Sequence, residues 1–157
     1  MPDAPSSHEV LDQIAADARD LRRSLRNAPV DCARVLTARV VEAQALATAA
    51  LHLFLALERE VPRDPSTHLS RLDRVARIAK AAQDASAELT AALTRAIENQ
   101  QRRADAATSP PVLLRPTPQQ FVASAADLLD GLLAALCDAL RRDHSQPPAA
   151  PAPAPAR

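Results

Sequence analysis

AQALATAALHLFLAL, residues 43–57, runs for fifteen residues without a formal charge. Leu46, Leu51, Leu53, Phe54, Leu55 and Leu57 point to every side of a helix, not to one stripe. A helix that is apolar all round must be covered all round. The rest of the chain reads as that cover, with a second copy helping to complete it.

The composition says what kind of cover to expect. A chain of 157 residues is one domain by length and can bury a real core. It has a single glycine, Gly131, and two aromatics, Phe54 and Phe121. Sheets need β-branched and aromatic strands joined by glycine-bearing turns. This chain is rich in Ala, Leu, Arg, Glu and Gln, the strong helix formers. The expected class is all-α, a helical bundle of about four helices. Its single domain spans 6–145, between a disordered N-terminus at 1–5 and a disordered Pro/Ala-rich tail at 146–157.

Helix boundaries follow from capping chemistry. Ser6 to Glu9 spells a capping box that opens helix 1. Leu11, Ile14, Ala18, Leu21 and Leu25 then form a narrow seam of coiled-coil spacing, and Asn27 and Pro29 close it. Pro29 is placed as the first residue of helix 2, which Pro62 ends near Glu60. Asp64 and Pro65 start helix 3, whose apolar set is Leu69, Leu72, Ala76, Ala79, Ala82, Leu89, Leu93, Ala96 and Ile97. Its alanine-rich middle permits close helix packing. Helices 2 and 3 are expected to form a long antiparallel hairpin. Thr117 to Gln120 is a further capping box, and helix 4 follows with a broad apolar face from Phe121 to Leu140. Gly131 within it is read as a close helix crossing. Between helices 3 and 4, Val112, Leu113 and Leu114 sit among prolines. They are expected to strap the end of the bundle; docking another protein is the alternative.

The same residues exclude many chemistries. One glycine removes the phosphate-binding loop, the dinucleotide fingerprint and the nucleophile elbow. None of the six Glu residues is followed three positions later by His, so the di-iron bundle signature is missing. His8-Glu9 lacks the second His of a zinc protease. Cys32 and Cys137 lie far apart and are expected to be buried, reduced thiols. No catalytic residue, metal or cofactor is expected. His52 is set in the apolar run, where a hydrogen bond to a neighbouring helix or a place at an oligomer seam is the ordinary role, and metal binding or a pH switch the special one.

Charge leaves one positive feature. Basic and acidic residues number 19 each, so net charge pulls toward no partner. The arginine bias is of the kind a GC-rich genome produces. Arg71, Arg74, Arg77 and Lys80 recur along the start of helix 3, a possible nucleic-acid face. No aromatic accompanies it, and a solvated helix face is the plainer reading. The opening MPDAPSSHEV is not a secretory signal. The 43–57 run is short for a membrane span, and the polar face of helix 4 is acidic. The sequence is therefore expected to be cytoplasmic, with no membrane partner.

The functional expectation is a non-enzymatic helical interaction protein: an adaptor, scaffold or small regulatory partner. Its candidate partner or oligomer surface comprises Leu46, Leu51, Phe54, Leu55, Val112, Leu113 and Leu114. Helices 2 and 3 are expected to outrun helices 1 and 4, and a homodimer is the simplest cover for the surplus. The alternative is a nucleic-acid-binding regulatory or packaging protein.

Overall fold

The computed structural model describes residues 5–27, 29–106 and 115–145. They form four helices: α1 (Ser7–Asn27), α2 (Ala33–Glu58), α3 (Pro65–Asp105) and α4 (Pro118–His144). The protein is an all-α bundle. α2 packs on α3, α3 on α4, and α1 closes the ring against α4 and α2. Each neighbour runs antiparallel to the next. Arg71 meets Glu60, and Gln100 reaches the Asp31 carbonyl. The interval between the two contacts is the same on both sides, so α2 and α3 pair without slip. Similarly, His8 meets His144 and Arg22 meets Asp130, which fixes α1 antiparallel to α4.

The capping signals form as hydrogen bonds. The Glu9 backbone N–H donates to Ser6 Oγ at 3.2 Å, and the Ser6 N–H donates to Glu9 Oε2 at 2.7 Å. Asp64 accepts from the Ser66 N–H, with Pro65 in the first turn. Thr117 and Gln120 complete a second reciprocal box. Each satisfies N–H groups that the helix itself cannot.

α2 departs from this pattern. It starts at Ala33, not at Pro29, because residues 29–32 close a turn in which the Cys32 N–H reaches the Pro29 carbonyl. Cys32 is the N-cap and makes no side-chain cap bond, and the first turn of α2 holds no acidic residue and its last turn no basic one. Burial, not termini, must hold this helix.

The core draws on all four helices. α1 buries Leu11, Ile14, Ala18, Leu21 and Leu25, its expected seam. α3 buries Ala79, Ala82, Ala85, Ala92 and Ala96, small side chains that let its neighbours approach. Leu69, Ala76 and Ile97, expected in the core, face outward instead. α4 buries Val122, Leu129, Leu132 and Leu136.

Three expectations are corrected here. α2 has 26 residues and α4 has 27, so α2 does not outrun α4; α3 alone is long, at 41 residues or about 62 Å. Gly131 marks no helix crossing: it is exposed, and a Cβ there would meet nothing within 4 Å. Finally, the rest of the chain does not by itself cover α2 all round. Ala43, Leu46, Ala47, Ala50, Leu53 and Leu57 are buried, whereas Leu51, His52 and Leu55 are exposed. Two neighbours, α1 and α3, cover one side of a helix that is apolar on all sides. The expected strap at Val112, Leu113 and Leu114 and the segments 1–4 and 146–157 lie outside the described residues.

Candidate interaction face

The outer side of α2 is a continuous stripe. Thr37, Val41, Gln44, Thr48, Leu51 and Leu55 follow one another in alternating steps of three and four, and all are exposed. Those steps keep side chains on one face of a helix and match the spacing of a coiled-coil seam. Val41 is 59% exposed, Leu51 43% and Leu55 47%. Ala45 and His52 widen the stripe on one flank. No charge interrupts it. Arg34 bounds it at one end and Glu58 at the other, both on the same three-four progression and both exposed.

Of the residues singled out as a partner surface, Leu51 and Leu55 lie on this stripe. Leu46 is buried in the core, and Phe54 is half-buried against it. Leu46 is therefore not on the surface, and Phe54 is only partly so. His52 stands on the surface rather than inside the core, because α2 turns Ala50 and Leu53 inward instead. Val41 belongs to the face but was not singled out; its spacing from Thr48 and Leu55 carried the signal.

The basic start of α3 is largely neutralised. Arg71 lies 3.6 Å from Glu60, Arg77 pairs with Asp73 at 2.9 Å, and Lys80 pairs with Asp84. Among the described residues, Arg74 alone of the four has no ion-pair partner. It lines an open cleft of about 590 Å³ between α3 and α4, with Asp73, Arg77, Asp138 and Arg142. Arg142 is itself held by Asp138 at 3.1 Å. Opposite charges thus alternate across the cleft, a poor arrangement for concentrating phosphate.

Other chemistry-bearing side chains do not converge. Cys32 is half-buried and Cys137 exposed, and both are free. The expectation of two buried thiols fails because the apolar face of α4 turns Leu136 and Ala139 inward, leaving Cys137 at its edge. Among the described residues no group of three His, Cys, Asp or Glu could hold a metal. His8 and His144 sit edge to face with their Nε2 atoms 2.9 Å apart, and Asp12 lies 3.1 Å from His8 Nδ1.

Electrostatics serve the fold at three places. Arg22 holds the Asp130 carboxyl below its ordinary range, and Asp130 in turn raises the Arg22 guanidinium. Hydrogen bonds from Thr67 and Ser66 lower Asp64, and those from Ser6 lower Glu9.

α2 and α4 are both long and apolar enough to cross a membrane by length and composition. A core helix passes the same test, and each of these two is partly buried, over 39% of its apolar window in α2 and 33% in α4. Family models, curated proteins and solved structures were compared with the chain, and none matches it significantly.

Proposed function

We propose that the protein is a non-enzymatic helical interaction module of the cytoplasm that docks a partner helix along the outer side of α2. The supporting observation is the uncharged exposed stripe from Thr37 to Leu55, bounded by Arg34 and Glu58. A solvated helix normally carries charge on its outer face. The outer faces of α1 and α4 do so, through Asp12, Arg19, Arg23, Asp127 and Asp130. A face spared of charge over five turns fits a helix-in-groove or helix-on-helix contact.

The test is site-directed photo-crosslinking in cells from a photoreactive residue at Thr48. The reading expects products that join Thr48 to a helical segment, of this chain or of another. It expects their loss in the V41D/L51D/L55D variant, which keeps the same circular dichroism. Products that are absent, or that survive the triple substitution, would remove α2 as the docking face.

The second reading, a nucleic-acid-binding protein using Arg71, Arg74, Arg77 and Lys80, rests on less. Arg74 is the one cation of the four in no ion pair among the described residues.

A further inference from the structure

We infer that the occupant of this face is a second copy of the chain, packed with its α2 antiparallel to the first. The inference rests on the reading of α2 as a docking face and names its partner. Two observations carry it.

The first is charge complementarity at the ends. A two-fold axis through the middle of α2 sets Val41 opposite the partner's Leu51 and Thr37 opposite the partner's Leu55. Gln44 then lies beside the partner's Thr48, where amide and hydroxyl can hydrogen-bond. The same register brings Arg34 to the partner's Glu58, twice by symmetry. Such a contact is self-complementary and closes on itself. A parallel pair sets Arg34 against the partner's Arg34 and Glu58 against the partner's Glu58, which like-charge repulsion opposes.

The second is that neither end charge finds its opposite among the described residues. Among the described residues Arg34 and Glu58 have no ion-pair partner, although nine other pairs form there, most of them within one helix. Both also oppose the helix dipole. A cation in the first turn and an anion in the last are the unfavourable placements. α1, α3 and α4 all end with basic residues in their last turn. In the antiparallel pair each misplaced charge meets its opposite.

The seam is short, and its middle layers are polar, so the dimer is expected to be reversible, dissociating in the micromolar range. Sedimentation equilibrium from about 5 to 500 µM tests the inference on wild type, R34E, E58R and R34E/E58R. Wild type should approach twice the monomer mass. Each single charge reversal should weaken the dimer at least tenfold, and the double reversal should recover most of the loss. All four should keep the same circular dichroism, since both side chains are exposed. A wild type that stays monomeric at 500 µM overturns the inference. So does a dimer indifferent to the single reversals, because a parallel pair meets like charges either way. Neither result touches docking of a different helix, which the Thr48 crosslinks decide separately.

Discussion

Arg22 on α1 grips Asp130 on α4 with two parallel hydrogen bonds, Nε to Oδ1 at 2.9 Å and Nη2 to Oδ2 at 3.0 Å. This fork is a charged tie between α1 and its neighbour α4. The Arg22 side chain is 19% exposed and Asp130 52%, so solvent screens the pair from one side. Asp130→Asn should cost about 0.5–1 kcal/mol, at the upper end for exposed pairs because the geometry is bidentate. The pH dependence has a definite sign. Asp130 is lowered in the folded chain by Arg22. Its contribution is therefore complete above the unfolded value near 4 and is lost as pH falls through the folded one. Urea titrations at pH 7 and pH 3 should show a gap between wild type and D130N at pH 7 that narrows at pH 3. An equal gap at both would show that the ion pair is not its source.

Gly131, next to that aspartate, offers a gain. Alanine there adds a Cβ into open space and removes the conformational freedom of glycine from the unfolded chain. G131A should stabilise the protein by about 0.5–1 kcal/mol and raise Tm by about 3 °C. A lower Tm in calorimetry would mean that α4 packs against something at this position.

The weak start of α2 offers another. Cys32 has the extended backbone of an N-cap, φ −98° and ψ 104°, but no side-chain bond. Serine or aspartate there can accept from the N–H groups of the first turn. C32D should add roughly 0.5–1 kcal/mol. By contrast, Thr117→Ala breaks an existing capping box and should remove about 1 kcal/mol. Chemical denaturation of the two variants side by side should show shifts of opposite sign.

Core and face leucines should separate cleanly. Leu129 is fully buried where α4 meets the core, and L129A should cost about 2–5 kcal/mol. Leu51 and Leu55 project from α2, so L51A and L55A should change monomer stability by no more than about 0.5 kcal/mol. A large loss for either at low micromolar concentration would show that α2 is rotated from the orientation described.

The start of α3 should bind nucleic acid poorly. Arg71, Arg77 and Lys80 each have a carboxylate in reach, leaving few cations to displace counterions. Fluorescence anisotropy at 150 mM salt should detect no binding to a 30-base-pair duplex below about 10 µM. Tighter, salt-dependent binding lost in R74A would revive the nucleic-acid reading.

What the sequence showed was local. Ser6 with Glu9, Asp64 with Pro65, and Thr117 with Gln120 fix helix starts through contacts three residues long, which spacing alone reveals. The α1 seam was equally legible, because Leu11, Ile14, Ala18, Leu21 and Leu25 stand out against charged neighbours. The sidedness of α2 was not. Leu46, Leu51, Leu53 and Leu55 are alike in chemistry, and only the neighbouring helices choose which go inward. His52 stayed open between the bundle interior and an oligomer seam for the same reason. Gly131 carried a usable signal: it lies four residues after Asp127, on the polar side of α4. The Arg71–Glu60 pair was not legible, because Glu60 lies in the turn between α2 and α3 and only the folded hairpin brings it to Arg71.

The most direct test of the account is thiol labelling of L55C in a C32S/C137S background, at 1 µM and at 500 µM protein. The account predicts rapid labelling at 1 µM, because this face is open in the single bundle. It predicts at least tenfold slower labelling at 500 µM, once a second α2 covers it. Slow labelling at both concentrations would contradict the fold as described. Rapid labelling at both would contradict the two-fold contact.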